Sequence, residues 1–206
     1  MTPPLTADAS EAVRHLAAGD PVLAAVIERV GPCVIEPVGK VDLFQALLRS
    51  IIYQQLHGRA AAAIHARVAA SMPRMNAASL QATPDDALRG AGLSANKLLA
   101  LRDLAAKTLD GTIPRAAEVR RLSDDELITR LTAVRGIGPW TVHMLMIFHL
   151  GRPDVMPTGD FAIRKAFSQL YRRGRAATPE SILRHAKRWQ PHRSVASWYL
   201  WRSLDA

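Results

Sequence analysis

The spacing of apolar residues predicts α-helices along almost the whole chain. Between residues 43 and 52, apolar side chains recur every three or four positions and form one helical face. Capping residues, prolines and glycines delimit further helices, which we predict over residues 21–30, 42–52, 58–71, 84–90, 94–109, 123–133, 139–150, 161–171, 179–189 and 193–204. The only strand-like stretch, residues 33–38, is weakened by Pro32 and Pro37. The pattern therefore predicts an all-α fold.

A hairpin joins two of these helices within residues 131–143, which have the sequence L-T-A-V-R-G-I-G-P-W-T-V-H. Gly136 and Gly138 supply positive or crowded backbone angles that other residues resist. Ile137, between them, is expected to point inward and anchor the turn.

The helices on either side of the hairpin have their own start signals. Ser123 and Glu126 form a capping box before the first helix, and Pro139 suits the first position of the second. The second helix follows the apolar run 140–150 and ends at Gly151. Its free N-terminal amides and positive dipole end can face a phosphate. The alternative is a plain turn between two core helices.

Charge supports a nucleic-acid partner without identifying it. Lysine and arginine total 27 against 18 acidic residues, so the net charge is +9 and the pI is near 10.6. A basic composition can also reflect the base composition of a genome. The charge alone therefore does not exclude an ordinary basic protein that binds no nucleic acid.

Composition limits the other classes of protein. The 206 residues can bury a core in one domain or two small lobes. Cys33 is the only cysteine, which excludes an internal disulfide, a four-cysteine zinc site and an iron–sulfur cluster. Neither a leader sequence nor a membrane-length apolar run is visible. We therefore expect an intracellular protein with no membrane partner. Separately, we expect a monomer that is cytoplasmic and nucleoid-associated, in a bacterial cell.

Five short motifs together resemble the 3-methyladenine DNA glycosylase II family. They are Y-Q-Q-L at 53–56, G-L-S-A-N-K at 92–97, R-G-I-G-P-W-T at 135–141, P-T-G-D at 157–160 and R-W-Q-P-H-R-S at 188–194. Their order and spacing match over residues 20–204. The resemblance implies a helix-hairpin-helix DNA glycosylase with two helical lobes around a cleft, in the compact form that lacks an N-terminal α/β domain.

The resemblance also implies how the chain is divided. Residues 41–150 would form the lobe that contains the helix-hairpin-helix motif at 123–150. Residues 1–40 and 151–206 would form the second lobe, which carries the catalytic aspartate.

Asp160 is the candidate catalytic residue. It follows Thr158 and Gly159 and precedes an amphipathic helix, whose dipole favours a carboxylate. A fixed anion beside the sugar suits the oxocarbenium-like transition state of glycosidic cleavage. We hypothesise that Asp160 stabilises this cation and orients the attacking water. Without the hairpin and its spacing, Asp160 would be taken for an ordinary N-cap.

Trp140 discriminates between two glycosylase mechanisms. Bifunctional glycosylases that resemble this chain at the hairpin carry a nucleophilic lysine where Trp140 stands. An indole cannot form a Schiff base, so the sequence predicts a monofunctional enzyme. The ring would face the base pocket and attract a cationic alkylated base. Packing at a helix start is the alternative.

The remaining pocket candidates are also aromatic. Trp198 and Trp201 share a helical face, which fits either core packing or a pocket wall. The resemblance places Trp201 at the family's base-stacking tryptophan. Tyr53 is a further candidate for the base pocket. Trp189 is expected to pack the lobe. His192 replaces the tryptophan common at this place in the family, which leaves the lesion range open.

The polar end of the second predicted helix is the candidate wedge that fills the gap left by a flipped base. Gln54, Gln55, Leu56 and His57 can leave the core and reach the minor groove, and the resemblance places the wedge near Gln55. The alternative is a solvated helix end with Leu56 buried. His57 is not accompanied by other potential ligands at a metal-binding spacing, so the sequence does not indicate a metal-binding role for it.

Further DNA contacts are expected from the hairpin and from basic side chains. They are Gly136, Gly138, Thr141, Arg164 and Lys165, with Arg172, Arg173 and Arg175 as additional phosphate candidates. A run of positive charges can equally be a solvated face. No catalytic cofactor is implied. The resemblance implies a structural Na+ or K+ held by the backbone carbonyls of Thr132, Val134 and Ile137.

The predicted substrate follows from the chemistry of the leaving group. A neutral base needs a protonating acid, and His143 and His149 are expected on a packed helix. A cationic base needs none, which favours alkylated purines such as 3-methyladenine and 7-methylguanine in double-stranded DNA. Ethenoadenine and alkylated pyrimidines stay open. So do a glycosylase for mismatched or oxidised bases and a helix-hairpin-helix module that binds DNA without chemistry.

Overall fold

The computed structural model describes residues 9–35 and 42–205. In this part of the chain every regular element is a helix, so the all-α prediction is confirmed. The elements are α1 (Ser10–Gly19), α2 (Pro21–Val30), α3 (Leu43–Tyr53), α4 (Gly58–Ala70), α5 (Ala77–Ala82), α6 (Asp85–Gly90), α7 (Ala95–Leu109), α8 (Ala116–Val119), α9 (Asp124–Thr132), α10 (Pro139–Phe148), α11 (Phe161–Arg172), α12 (Pro179–Ala186), a 3-10 turn (Lys187–Trp189) and α13 (Arg193–Arg202).

The chain divides into two compact units. Lys40–Val142 forms one unit, here called the hairpin unit. Met1–Gly39 and His143–Ala206 form the other, here called the terminal unit. The division falls inside α10, whereas the sequence analysis placed it at Gly151.

The apolar stripe of α3 organises the core of the hairpin unit. All six of its side chains are buried, as the spacing predicted: Leu43, Phe44, Leu47, Leu48, Ile51 and Ile52. This face packs on α7, which in turn contacts α5. The packing of α3 on α7 therefore fixes the position of the polar C-terminal end of α3.

The core of the terminal unit is built around aromatic side chains. Helix α13 packs against α2 and α11, and α1 packs against α2 and the 3-10 turn. Trp189 and Tyr199 are fully buried there, so the expectation that Trp189 packs its lobe is confirmed. Asp160 lies at the start of α11 and is supported by this core.

Several elements differ from the predicted pattern. Helices α1, α5 and α8 were not predicted, and they bury one or two side chains each. With six and four residues, α5 and α8 are too short to show a helical period. Helix α10 ends at Phe148, and the helix predicted to reach Trp189 finishes as the 3-10 turn. Residues 33–35 form no strand, and residues 36–38 lie outside the described part. Within the described ranges, no helix combines the length and apolarity of a membrane span.

Candidate active site

The hairpin forms as predicted between α9 and α10. The Ser123 hydroxyl and the Glu126 side chain make both hydrogen bonds of the capping box. Gly136 has a φ of 79°, in the left-handed region that favours glycine. Ile137 is buried, and its amide donates to the Val134 carbonyl over 3.0 Å. The turn therefore has an anchored apolar side and an outer side made of backbone.

Gly138 departs from the expectation. It does not have a positive φ, and a Cβ placed on it would meet no atom within 4 Å. The fold therefore does not require glycine at this position. What the glycine provides is open space directly before Pro139, the first residue of α10. A ligand can approach the backbone closely there.

The candidate wedge forms a tight turn between α3 and α4. Gln54 ends α3, and its Nε2 donates to the Gly136 carbonyl over 2.9 Å. Gln55 is exposed and has a φ of 56°. Leu56 is 39% exposed, so the alternative with Leu56 buried is wrong. His57 is exposed and precedes α4, without capping it.

The aromatic candidates of the hairpin unit lie in different settings. Trp140, in the first turn of α10, is 52% exposed, and Thr141 beside it is half-buried. Such exposure is unusual for a tryptophan that only packs a core. The half-buried ring of Tyr53 lies 4.0 Å from the Arg49 guanidinium carbon and has an edge contact with His65. Both of these neighbours are basic side chains.

Asp160 caps α11 at its N-terminus. Its Oδ1 accepts a hydrogen bond from the Ile163 amide over 2.8 Å and another from Trp201 Nε1 over 3.1 Å. Asp160 is only 8% exposed. The Trp201 ring packs on Phe148, with 5.6 Å between the ring centroids. A helix N-terminus and an indole donor thus fix a carboxylate beneath the surface of the terminal unit.

Phe161 was not singled out in the sequence, although it directly follows Asp160. It is 80% exposed, which is rare for an aromatic side chain in the middle of a chain. The sequence could have predicted this exposure, because Phe161 lies outside the apolar stripe formed by Ile163, Ala166 and Phe167. An exposed ring beside a buried carboxylate offers a stacking surface for a base.

The other aromatic candidates belong to the core or its edge. Trp198 is almost fully buried and packs edge-on against Tyr199, with 5.0 Å between the centroids. His192 precedes α13 and has an edge contact with His15 at 5.2 Å. Burial, together with the nearby His15, lowers the pKa of His192. Among the predicted tryptophans of this unit, Trp201 is the one seen to donate a hydrogen bond to Asp160.

Asp20 caps α2 and is a buried carboxylate that the sequence did not indicate as a functional candidate. Its Oδ1 accepts from the amides of Val22 and Leu23, both over 3.1 Å. Its Oδ2 accepts from three side chains, Tyr171 at 3.0 Å, His185 at 2.9 Å and Trp189 at 2.9 Å. Burial acts to raise the pKa of Asp20, but these hydrogen bonds outweigh it and lower the pKa to about 2.

The basic candidates lie on or after α11. The side chains of Arg164, Lys165, Arg172, Arg173 and Arg175 are all exposed. Arg164 reaches the Ala177 carbonyl at 3.4 Å, and Arg173 ends α11 with a left-handed φ of 51°. Phosphate contact and a solvated face both fit this exposure. His143, in the middle of α10, and His149, directly after its end, are both half-buried.

The hairpin carbonyls are the only candidate cation ligands from the sequence. Thr132 ends α9, where the helix dipole is negative, and the Val134 carbonyl already accepts the Ile137 amide. Neutral oxygen donors suit an alkali cation. In the described part of the chain, histidine, cysteine and carboxylate side chains form no cluster of three or more that could hold a metal.

Comparison with known proteins identifies the family of this chain. Residues 48–191 match the HhH-GPD superfamily base excision DNA repair protein family. The chain is 39% identical to DNA-3-methyladenine glycosylase 1 of Schizosaccharomyces pombe over 167 residues, which cover 80% of this chain and 73% of the relative.

Solved structures show the same likeness. A structure of S. pombe 3-methyladenine DNA glycosylase (Mag1) in complex with abasic DNA superimposes with a TM-score of 0.79 at 35% identity, covering 96% of this chain and 98% of that one. DNA-3-methyladenine glycosidase from Bacillus halodurans gives a TM-score of 0.85 at 33% identity, covering 98% and 92%. The resemblance indicated by the five motifs is confirmed, and the chain belongs to the HhH-GPD superfamily of base excision DNA repair proteins.

Proposed function

We propose that the protein is a monofunctional DNA glycosylase that removes alkylated bases, of the 3-methyladenine and 7-methylguanine type, from double-stranded DNA. It hydrolyses the N-glycosidic bond and so begins base excision repair. The observation that carries this proposal is the carboxylate of Asp160, buried at the N-terminus of α11 and held by Trp201 Nε1 and the Ile163 amide. The similarity to DNA-3-methyladenine glycosylase 1 of S. pombe supports the choice of substrate.

The proposed reaction requires a fixed anion beside the sugar and no catalytic acid. As the bond between C1′ and the base nitrogen breaks, its electron pair goes to the base and neutralises the positive charge of the alkylated ring. Positive charge then develops on the sugar, and Asp160 stabilises it. Water adds to C1′ and releases a proton to solvent. Because the base leaves as a neutral molecule, no acid has to protonate it.

The hairpin unit supplies the DNA contacts in this proposal. The open backbone at Gly138 and the N-terminal amides of α10 bind a phosphate, and Gln55 fills the gap left by the flipped base. The similar Mag1 structure is a complex with abasic DNA, which supports DNA as the partner of this chain. Gly138→Val should weaken binding of lesion and undamaged DNA alike, roughly tenfold, in fluorescence anisotropy. A loss confined to lesion DNA would contradict a phosphate-binding role.

Trp140 supports a mechanism without strand cleavage. It occupies the place of the nucleophilic lysine, and its indole cannot form a Schiff base with the sugar. Abasic DNA should therefore accumulate intact, and borohydride added during turnover should trap no protein–DNA adduct. Lys165 is the only lysine close to Asp160 in sequence. A trapped adduct that disappears in Lys165→Gln would contradict the monofunctional assignment.

A structural alkali cation at the hairpin is part of the proposal. The carbonyls of Thr132, Val134 and Ile137 would hold it, and it would stabilise the turn without taking part in chemistry. Replacing Na+ and K+ by a bulky organic cation at equal ionic strength should then weaken DNA binding. Equal affinity in both media would exclude the cation.

The proposed function is tested by incubating the protein with duplex DNAs that carry different lesions and identifying the released bases by mass spectrometry. We expect 3-methyladenine and 7-methylguanine to be released. Tight binding with no released base would favour a DNA-binding module. Release of only mismatched or oxidised neutral bases would favour the other glycosylase class. Light scattering during gel filtration tests the expected monomer.

A further inference from the structure

Lys97 directs its ammonium group at the backbone of its own chain. Its ammonium group is half-buried and donates to two backbone carbonyls, those of Ile52 over 2.6 Å and Gln54 over 2.8 Å. These carbonyls belong to the last turn of α3 and the residue that ends it, directly before the exposed Gln55. Lys97 thus binds the protein's own backbone at the root of the wedge turn.

The helix dipoles explain why a lysine stands at this position. Lys97 lies in the first turn of α7, next to the positive dipole end, where a cation is ordinarily disfavoured. Its side chain reaches the negative C-terminal end of α3, where carbonyls lack helical partners. Burial also lowers the pKa of Lys97. An unfavourable location and partial desolvation are both offset by the two carbonyl contacts.

The same helix also holds the hairpin. Asp103 of α7 accepts a hydrogen bond from the Arg135 amide over 2.6 Å, directly before Gly136. Gln54 completes the connection, since its side chain donates to the Gly136 carbonyl. Helix α7 and Gln54 therefore fix the wedge turn and the hairpin relative to each other within one unit.

Gln55 has the conformation expected of a constrained residue. Its left-handed φ of 56° is uncommon for a residue that is not glycine and needs support from its surroundings. Two hydrogen bonds of the neighbouring residue Gln54 provide that support. Lys97 donates to the Gln54 carbonyl, and the Gln54 side chain donates to the Gly136 carbonyl. The exposed side chain of Gln55 is thus presented by a turn that is held from below.

We propose that Lys97 is a positioning residue for base flipping: it holds the wedge turn through the Ile52 and Gln54 carbonyls and makes no contact with DNA. This rests on the proposed function, in which Gln55 is the wedge. The competing role is phosphate binding, because Lys97 and Arg135 line a cavity of about 410 Å³ beside the hairpin. The two roles differ in their dependence on salt.

The first experiment compares Lys97→Met with Lys187→Met, a matched lysine variant on the exposed surface of the terminal unit. The Kd for duplex DNA is measured across a range of salt concentrations. A positioning role leaves the slope of log Kd against log salt unchanged in Lys97→Met. A phosphate contact would reduce the slope by about 1, and this result would overturn the proposal.

The second experiment compares a 7-methylguanine that is paired with cytosine with one opposite an abasic analogue, in single-turnover excision. Lys97→Met should slow excision of the paired lesion roughly tenfold or more and spare the unpaired lesion, which flips easily. Gln54→Ala, at a half-exposed position, should show the same selectivity more weakly. Lys97→Arg, which keeps a donor, should restore part of the rate. Equal losses on both substrates would overturn the proposal.

A third readout does not require excision. Fluorescence of 2-aminopurine opposite a tetrahydrofuran abasic analogue should change on binding of the wild type and of Lys187→Met, but much less with Lys97→Met. This pattern would support the positioning role even if no alkylated base is released, in which case only the proposed function fails. An unchanged response in a folded Lys97→Met protein would overturn the role of Lys97.

Discussion

Two aspartates of the terminal unit have the same local role but different surroundings. Asp20 caps α2 and Asp160 caps α11, and each accepts a hydrogen bond from a tryptophan Nε1. Asp20 also accepts from a tyrosine and a histidine and is almost completely buried. Asp160 lies just beneath the surface, and the residue after it is the strongly exposed Phe161.

The difference shows that an N-cap aspartate acquires its function from what surrounds it. Donors from α11, α12 and the 3-10 turn converge on Asp20 and use its charge to join these elements to α2. Asp160 is fixed by its own helix and by Trp201, beside an exposed aromatic ring. We therefore propose that the first carboxylate stabilises the fold and that the second is the catalytic one.

Asp160→Asn gives the largest expected effect. The amide keeps an oxygen that can cap α11, but it removes the negative charge that stabilises the sugar cation. Excision should fall by roughly 1,000-fold or more in single-turnover assays, with little change in melting temperature. If Asp160→Asn unfolds while its folded fraction retains activity, Asp160 is a structural cap like Asp20.

Asp20→Asn should have the opposite profile. In the wild type, three side-chain donors share one carboxylate oxygen of Asp20. In the variant an NH2 group takes the place of one oxygen, so the buried network loses an acceptor. The free energy of unfolding should fall by about 3 kcal/mol in urea titrations. Single-turnover excision well below the melting temperature should stay within about twofold of the wild type, as expected for a residue outside the chemistry. A large loss of rate in the folded protein would contradict the assignment.

Lowering the pH should reveal the contribution of Asp20 to the free energy of unfolding. Its pKa falls from an ordinary value of 3.8 to about 2 on folding, so the unfolded chain takes up the proton first as the pH falls. The stabilisation is present above about pH 4 and is lost as the pH falls through about 2, and it amounts to about 2 kcal/mol. Asp20→Asn should lack this component in urea titrations between pH 5 and 2. An equal acid loss in both proteins would assign the effect to other groups.

The two tryptophan partners offer a matched pair of smaller changes. Trp201→Phe removes the Nε1 donor to Asp160 from a half-buried ring and should slow excision roughly tenfold, with a small effect on stability. Trp189→Phe removes the donor to Asp20 in the core and should lower stability while leaving the rate nearly unchanged. The reverse distribution of effects would contradict the separate roles of the two aspartates.

Structure that has a local cause could be predicted from the sequence. The apolar stripe of α3, the capping box of α9 and the hairpin residue Ile137 follow from neighbours within a few positions, and the structure confirms them. The catalytic candidate Asp160 was found through its distance from the hairpin and through resemblance, because its local chemistry is that of any N-cap.

Features made by distant residues escaped the sequence analysis. Asp20 meets Tyr171, His185 and Trp189 across separations of 151, 165 and 169 residues, which no local pattern encodes. The carbonyl directly before the left-handed Gln55, that of Gln54, accepts a hydrogen bond from Lys97, 43 residues further along the chain. Gly138 was assigned a conformational role, whereas the structure shows only open space around it.

The most direct test of the role of Asp160 is binding of two abasic analogues, a cationic pyrrolidine nucleotide and a neutral tetrahydrofuran nucleotide. The pyrrolidine carries its charge near the position where the sugar becomes positive, so it resembles the transition state. The wild type and Asp20→Asn should bind the cationic analogue at least about tenfold more tightly than the neutral one, as transition-state mimicry requires. Asp160→Asn should bind both equally, and an undiminished preference in this variant would contradict the catalytic role of Asp160.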